Sequence, residues 1–279
     1  MFLATLAFSL MQVCVKFVAH LPFHELILFR SVITLGISYA YIRKAGLQPW
    51  GNNRSVLIQR GVYGTIALSL WFLSIQKLPL ASAATLFNLS PVFTAILAIF
   101  ILKERVRNIQ WLFFAAAFAG VVLIRGFDSN VQGIYVLAAV GGAFFSGLAY
   151  NMVRKLKDSD HPMVVIFYFP MVALPAAILW SLFDWVMPTG ADWVFLSAIG
   201  IFAQLGQVLL TRALQLERAA RISSITFFGV PIALLFSVFV FRESYNLVNI
   251  FGFALVSLGV ILNIYISKKE IPGSEPSRN

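Results

Sequence analysis

Charged residues are scarce in this chain of 279 residues: Asp, Glu, Lys and Arg together make up 11% of it, whereas hydrophobic residues make up 60%. Soluble domains carry about 25% charged residues. So few charges cannot cover a surface that faces water, and lipid must therefore cover part of this one. The alternative, a large soluble helical protein with an oversized core, conflicts with repeated apolar runs of about 20 residues.

Cysteine is nearly absent, since Cys14 is the only one and lies within an apolar run. A single cysteine excludes an intramolecular disulfide and a cysteine-based metal site. The three histidines, His20, His24 and His161, fall at the ends of apolar runs, where solvated imidazoles are expected. We therefore expect no metal, no cofactor and no catalytic residues, which argues against an intramembrane enzyme.

A net charge of +10 would suit a nucleic-acid partner, but the positions of the charges argue otherwise. Lys and Arg occur in short clusters between the apolar runs, where they set the orientation of a membrane protein. The sequence has no basic stripe with interleaved exposed aromatics, so no nucleic-acid partner is expected.

Ten apolar runs are long enough to be considered as membrane spans, each of which needs about 20 mostly apolar residues. The first run is long for a signal peptide and lacks a small-residue cleavage site, so it is predicted to be retained. The tail, residues 268–279, is predicted to be disordered. The predicted spans are 1–20, 24–43, 57–76, 80–102, 108–125, 132–153, 163–183, 192–214, 220–241 and 247–267.

The basic residues predict the orientation of these spans. With the N-terminus inside, fifteen Lys and Arg residues fall in inside loops and the tail, and only Lys77, Arg125 and Arg242 fall outside. This bias follows the positive-inside rule. It predicts a multi-pass protein of the cell (inner) membrane with both termini cytoplasmic.

An internal repeat links residues 78–104 with residues 216–243: small residues at the entry, a proline in the middle and a basic–acidic pair at the end. Five predicted spans separate the copies, an odd number, so the halves 1–126 and 127–267 are expected to lie in opposite orientations. Inverted halves are typical of transporters with a substrate site near the bilayer midplane. The matched positions are Pro91 with Pro231, Lys103-Glu104 with Arg242-Glu243, and Gly120 with Gly259.

These motifs, taken in order, resemble those of the drug/metabolite transporter superfamily, in particular its EamA-type members, over essentially the whole chain. The resemblance implies an all-α integral membrane carrier of ten transmembrane helices, arranged as two inverted five-helix repeats around a central cavity. It does not fix the solute, because family substrates include amino acids, organic acids and nucleotide sugars. The residues that carry it are Phe29-Arg30, Arg60-Gly61, Ala83-Ala84-Thr85, Ser90-Pro91-Val92-Phe93, Lys103-Glu104, Pro231 and Arg242-Glu243.

Polar residues at helical spacing predict which helices line a cavity. They occur on the first, third, fourth, sixth, eighth and ninth predicted spans. The alternative is hydrogen bonding between packed helices, which single Ser and Thr residues favour. Amides are harder to satisfy in a dry contact and favour the cavity. The predicted substrate-binding residues are Gln12, Lys16, Arg30, Gln76, Asn88, Tyr150, Gln204, Gln207 and Thr211.

Three charges, Lys16, Arg30 and Arg212, fall within predicted spans, where each costs at least about 2.5–3.5 kcal/mol at the bilayer centre. Snorkelling to the interface is the alternative for all three, and it weighs most for Arg212. If Lys16 and Arg30 face the cavity, they favour an anion or a carboxylate-bearing zwitterion. No Asp or Glu lies deep in a predicted span, which favours facilitated flux, exchange or efflux over tight proton coupling.

Pro91 and Pro231 are predicted hinges, because a proline frees the carbonyl four residues earlier, here those of Phe87 and Phe227. A static kink is the alternative. Small residues on the fifth and tenth predicted spans indicate close scaffold packing, with a homodimer contact as the alternative. These small residues are Ala116, Gly120, Gly252 and Gly259.

The sequence therefore predicts a secondary carrier that moves a small polar metabolite, an amino acid or an organic anion, across the membrane by alternating access. A channel for small solutes remains the alternative, because polar stripes and inverted repeats also occur in channels. A scaffold without transport activity conflicts with the long polar stripes.

Overall fold

The computed structural model describes residues 2–103, 108–126, 133–216 and 229–268, and this part of the chain is helical without a β-strand. The described residues form eleven helices. Residues 104–107 and 217–228, which include parts of both predicted repeats, lie outside the described ranges. The helices are α1 (Phe2–Phe17), α2 (Phe23–Lys44), α3 (Arg54–Lys77), α4 (Leu80–Phe87), α5 (Ser90–Ile101), α6 (Asn108–Gly126), α7 (Gly133–Lys155), α8 (Pro162–Ser181), α9 (Asp192–Leu216), α10 (Gly229–Phe239) and α11 (Leu247–Lys268).

Within the described ranges, six helical segments are long and apolar enough to cross a membrane: α2, α3, the α4–α5 pair, α7, α8 and α9. The helices α1, α6, α10 and α11 contain shorter apolar stretches. Each predicted span overlaps one of these ten segments, the ninth (220–241) only within α10 because residues 217–228 are not described, and the fourth span is built from α4 and α5 together. Large side chains face outward, with Phe183 88%, Leu247 84% and Phe100 75% exposed. Such a surface is stable only where lipid covers it.

The fourth span is interrupted at Asn88 and Leu89, between α4 and α5. The Leu89 N–H donates to the Leu86 carbonyl at 3.1 Å, a tight three-residue turn, and Pro91 lies in the first turn of α5. Since proline has no N–H, the Phe87 carbonyl loses its helical partner there. Pro91 therefore lies directly after a break in the fourth span, and its role as a hinge stays a prediction. Phe227, whose carbonyl is paired with Pro231, lies outside the described residues.

Helix α2 begins at Phe23 and α8 begins at Pro162, 139 residues later. The two halves also share an unusual backbone conformation. Lys103 has φ of 56° and Arg242 has φ of 54°, and these are the non-glycine residues with positive φ in the described ranges. Because such φ values are uncommon outside glycine, their match at positions 139 apart is a structural counterpart of the sequence repeat.

Helix packing has the same symmetry. If the halves correspond in chain order, α1 matches α7, α2 matches α8, α3 matches α9 and α5 matches α10. The contact of α3 with α7 then has its counterpart in that of α9 with α1, the contact of α5 with α7 in that of α10 with α1, and the contact of α2 with α9 in that of α8 with α3. The remaining main contacts join a helix to its own counterpart: α2 to α8, α4 to α10 and α6 to α11. Exchanging the two halves therefore leaves this packing pattern unchanged.

The α6–α11 crossing depends on glycine in both helices. A Cβ on Gly120 would lie 2.8 Å from the Gly252 carbonyl oxygen, and one on Gly259 would lie 2.8 Å from the Phe113 carbonyl oxygen. Backbone atoms cannot move aside as a side chain can, so only glycine permits this approach. The predicted close packing is confirmed at Gly120, Gly252 and Gly259.

Candidate functional site

A cavity of about 150 Å³ lies at the centre of the helix bundle. Its described lining comes from α1 to α5 and α7 to α10, and no described residue of α6 or α11 takes part. The polar lining residues are Thr5, Ser9, Gln12, Arg30, Arg60, Asn88, Ser90, Thr94, Ser146, Tyr150 and Gln207.

Two arginines form the charged part of the cavity wall. Arg30 of α2 is 2% exposed and Arg60 of α3 is 3% exposed. The guanidinium carbon of each lies 4.7 Å from the centre of the Phe169 ring on α8. One aromatic ring therefore positions both cations. Phe169 and Arg30 are themselves 139 residues apart, at matched positions of α8 and α2.

The guanidinium groups of Arg30 and Arg60 are not satisfied by the protein. In each, Nε and Nη1 are buried without a hydrogen-bond partner. Cation–π contact contributes about 2 kcal/mol for a desolvated cation, whereas taking an ion out of water costs several kcal/mol. Phe169 alone therefore cannot offset the burial of these two charges. The cavity wall therefore carries positive charge that the described side chains do not compensate.

No Asp or Glu appears among the lining residues that the structure describes. In the same ranges, no group of three or more His, Cys, Asp or Glu side chains is arranged to hold a metal ion. The described wall thus offers positive charge and neutral polar groups to a solute.

Gly64 makes room for the arginine pair. It follows Arg60 by about one helical turn, and a Cβ at this position would collide with Arg60 Nη1 and lie 3.0 Å from Phe169 Cδ2. A side chain here would displace the cation or the ring that supports it. The glycine is therefore part of the site although it contributes no functional group.

Aromatic side chains form another part of the wall. Trp71 of α3 and Phe87 of α4 stack with ring centres 4.3 Å apart at an angle of 15°. Trp71 Nε1 is buried without a hydrogen-bond partner, and Phe8 and Met11 complete an apolar region. This region can contact the apolar body of a solute and offers one indole N–H donor.

Five of the nine predicted substrate-binding residues line the cavity: Gln12, Arg30, Asn88, Tyr150 and Gln207. Gln12 Oε1 is buried without a partner, so an acceptor is also available to a ligand. Arg30 does not snorkel to the interface, because its side chain is buried. Pro91 also lies in the cavity wall.

The other four predicted residues lie outside the cavity lining. Gln76 Nε2 donates to the Leu21 carbonyl at 2.8 Å, and Gln204 Nε2 donates to Ser38 Oγ at 2.9 Å, so both amides bond within the bundle. Thr211 is fully buried away from the lining. The polar stripe on α9 is wide enough to face both α2 and the cavity, which is why spacing alone did not separate Gln204 from Gln207.

Lys16 is the fourth of these residues, and it neither faces the cavity nor snorkels. Its Nζ lies 3.0 Å from Glu243 Oε1 and donates to the Leu78 carbonyl at 2.6 Å. Glu243 Oε2 in turn accepts from the Leu80 N–H at 2.8 Å, at the start of α4, and from Ser237 Oγ. The lysine is therefore held by a polar cluster at one end of the bundle.

Pro231, the second predicted hinge, is exposed on α10 and lies outside the cavity lining.

Arg60 was missed by the sequence prediction, which placed the third span at 57–76 and counted Arg60 with the loop cations. Helix α3 begins three residues earlier, at Arg54, so Arg60 lies in its second turn. The available signal was the Arg60-Gly61 motif, one of those that carried the family resemblance.

Arg212 is exposed near the end of α9, in keeping with snorkelling.

One of the three predicted solvated histidines is buried. His24 is 3% exposed, with Nδ1 3.0 Å from Ser181 Oγ, because the loop after α8 folds over the start of α2. His20 and His161 are exposed as predicted. Desolvation lowers the pKa of His161, and the positive charge of nearby Arg212 lowers it further.

Known proteins with similar sequences are transporters. The model of the EamA-like transporter family matches residues 1–126 and 133–265. The chain is 34% identical over 233 residues to the pseudopaline exporter CntI of Pseudomonas aeruginosa, which covers 82% of this chain and 81% of that protein. It is 30% identical over 261 residues to human solute carrier family 35 member G1, covering 86% of this chain and 71% of that protein.

A more distant match is the riboflavin transporter of Vibrio cholerae, 24% identical over 242 residues, with 84% of this chain and 81% of that protein covered. One solved crystal structure superposes with a TM-score of 0.67 at 17% identity, covering 96% of this chain and 99% of that chain. At this identity the similarity shows a shared fold.

Proposed function

Since this chain belongs to the EamA-like transporter family, we propose that it is a secondary carrier that binds a small organic anion or amino acid through a carboxylate in the central cavity. The family and the similar proteins are transporters rather than enzymes, and the chain is a multi-pass membrane protein with a small-molecule solute. The observation that carries the proposal is the pair of buried, unsatisfied guanidinium groups of Arg30 and Arg60. Carboxylate is the group that arginine binds with paired hydrogen bonds.

In this proposal Gln12, Asn88, Tyr150 and Gln207 form the neutral polar part of the binding site. All four line the cavity with the arginine pair. Their amides and phenol can donate or accept hydrogen bonds, so they can orient the solute without adding charge. Arg30 and Arg60 then supply most of the binding energy for the carboxylate, and the neutral groups contribute to selectivity.

The proposed architecture is two inverted five-helix repeats, residues 1–126 and 127–267. Three observations support it: the starts of α2 and α8 139 residues apart, the shared positive φ at Lys103 and Arg242, and a packing pattern that is unchanged when the halves are exchanged. The separate matches of the family model to residues 1–126 and 133–265 point the same way. Inverted halves can rock against each other around a central site, which is the usual basis of alternating access.

The lining residues favour a state that is closed at one end. On α1 they are found from Ala4 to Gln12, towards its N-terminal end, and on α9 they are Gln207, Leu210 and Leu214, towards its C-terminal end. The Lys16–Glu243 cluster lies at the other end of the bundle. With both termini in the cytoplasm of an inner-membrane protein, as the positive-inside bias favours, the cavity lies on the cytoplasmic side of this closure. Release to the outside requires the Lys16–Glu243 contact to separate.

We assign export as the direction of transport, because the P. aeruginosa relative is named as an exporter. We further propose facilitated flux or exchange without tight proton coupling. Glu25 is fully buried, but its Oε1 accepts from the Val186 N–H at 2.6 Å, away from the cavity. No described lining residue is a carboxylate that could carry a proton with the solute.

Counterflow in proteoliposomes tests the proposed carrier function. Purified protein is first screened by thermal shift against carboxylates, amino acids, phosphorylated metabolites and choline, and carboxylates are expected to stabilise it whereas choline is not. Vesicles loaded with the strongest carboxylate should take up the labelled compound saturably and faster than empty vesicles. Uptake that neither saturates nor responds to internal solute would indicate a channel. Tags that placed the loops at Lys103 and Arg242 on the same membrane side would overturn the inverted repeat.

A further inference from the structure

We infer that the solute has two separate negative charges on an apolar body, one charge for Arg30 and one for Arg60. The inference rests on the proposed function and narrows its substrate class, which otherwise includes monoanions and zwitterionic amino acids. It depends on three features of the cavity: the number of unpaired cations, their separation, and the chemistry of the surrounding wall.

The number of cations sets the charge of the ligand. Arg30 and Arg60 each retain two buried guanidinium nitrogens without a partner, and no described lining residue supplies a carboxylate to either. A single carboxylate can accept hydrogen bonds from both guanidinium groups, but it supplies only one negative charge. The buried pair would then keep a net positive charge, which is strongly unfavourable. Two acidic groups satisfy both.

The separation of the cations places an upper limit on the length of the ligand. Each guanidinium carbon lies 4.7 Å from the same Phe169 ring centre, so the two carbons are at most twice that distance apart. A short chain or a single ring between two carboxylates can connect groups at this separation. The site therefore fits a compact diacid rather than two independent monoanions in a cavity of about 150 Å³.

The remaining wall is neutral and partly apolar. Trp71, Phe87, Phe8 and Met11 can contact carbon, and the nearby amides can donate or accept hydrogen bonds. An ammonium group would find no carboxylate among the described lining residues, so a zwitterion would add a third unpaired cation beside Arg30 and Arg60. The wall thus favours a diacid over an amino acid.

A matched series of five-carbon acids tests the charge requirement. Pentanoate carries one negative charge, glutarate carries two, and 5-aminopentanoate carries one of each sign on the same chain. Dissociation constants are measured by calorimetry with the full chain in detergent at constant ionic strength. Glutarate should bind at least about tenfold more tightly than pentanoate, because a charge-assisted hydrogen bond changes affinity by about tenfold or more. 5-Aminopentanoate should bind more weakly than pentanoate.

Equal or tighter binding of pentanoate would overturn the inference, and so would a preference for 5-aminopentanoate. Isophthalate should bind more tightly than glutarate if the aromatic wall contacts the body of the solute. These comparisons use the unmodified protein, so they remain decisive even if arginine variants fold poorly.

Two variants assign the charges to the two arginines. Arg30→Gln and Arg60→Gln should each abolish the preference for glutarate over pentanoate, because each variant leaves one of the two arginines in the cavity. Arg212→Gln, which removes an exposed cation from α9, should leave the preference unchanged. A preference that persists in both cavity variants would contradict the assignment.

The calorimetric result is independent of transport. A glutarate preference without saturable counterflow would support the diacid site and overturn the carrier proposal. Saturable counterflow of a monoanion by a protein without this preference would support the carrier and overturn the diacid inference.

Discussion

Lys16 Nζ lies 3.0 Å from Glu243 Oε1, and this ion pair joins the end of α1 to the segment between α10 and α11. Both side chains are 16% exposed, so water screens the pair only weakly. The same cluster is tied to α4, because Lys16 donates to the Leu78 carbonyl and Glu243 accepts from the Leu80 N–H. A movement that separates the two halves at this end must break both contacts of Glu243, with Lys16 and with the Leu80 N–H.

Loss of this ion pair is expected to favour opening at that end of the bundle. Cys14→Ala removes the only cysteine, and Asn88→Cys then places a single thiol in the cavity. In this background, Glu243→Gln should increase labelling of the thiol by an impermeant maleimide added outside cells. A change of about 1.4 kcal/mol in the equilibrium between closed and open states would alter their ratio about tenfold.

Lys77→Gln serves as the control for Lys16→Gln, because Lys77 is an exposed cation at the same end of the bundle. Only the Lys16 variant should increase the labelling rate. Equal rates in the parent, the Lys16 variant and the Glu243 variant would show that the ion pair does not hold this end closed.

Arg60→Met is expected to make the ligand-free protein more heat-stable. The buried guanidinium has unsatisfied nitrogens, and an apolar side chain of similar length removes that cost. The melting temperature in detergent should rise by about 2–4 °C for each kcal/mol recovered, while stabilisation by added carboxylate disappears. Arg212→Met, at an exposed position, should change neither quantity. A large fall in the melting temperature would instead assign Arg60 a structural role.

Gly64→Ala tests the space that the arginine pair needs. The added methyl would meet Arg60 Nη1 and the Phe169 ring, so carboxylate affinity should fall about tenfold, a change of about 1.4 kcal/mol. Gly36→Ala is the matched control, since a Cβ on Gly36 meets nothing within 4 Å. The control should bind normally and gain about 0.5–1 kcal/mol in stability, as expected for glycine to alanine within a helix. Similar affinities in the two variants would contradict the proposed role of Gly64.

The sequence predicted the helices well because apolar runs of about 20 residues have few alternatives in lipid. Polar stripes on their helices also indicated that Gln12 and Gln207 line the cavity, and Arg30 was identified as a charge within a predicted span. Glu243 could not be assigned to Lys16, because 227 residues separate them and neither position indicates its partner. Arg60 was missed for a different reason: it lies near the start of the predicted span 57–76 and was counted with the basic residues of the preceding loop.

Gly120→Ala should destabilise the protein without changing the solute site. Its methyl would press on the Gly252 carbonyl and the Val256 N–H at 2.8 Å, and backbone cannot yield there as a flexible side chain can. Overpacking of this kind typically costs about 1–3 kcal/mol. The melting temperature should fall relative to Gly36→Ala, with carboxylate affinity per folded molecule unchanged, since no described α6 residue lines the cavity. Unaltered stability would mean that the α6–α11 crossing relaxes easily.

Pro91→Ala is expected to slow transport while leaving solute binding intact. Alanine restores the N–H that Phe87 lacks, which favours a continuous helix through the interruption at Asn88 and Leu89 beside the cavity. If the interruption is where the fourth span bends as the halves move, the maximal rate of counterflow should fall several-fold with little change in the dissociation constant. Pro231→Ala is the matched comparison, because Pro231 is exposed and lies outside the cavity lining. A larger loss from Pro231→Ala, or an unchanged rate in Pro91→Ala, would show that movement does not depend on the Pro91 interruption. Because binding and rate are measured separately, a static kink that only shapes the cavity would appear as weaker binding instead.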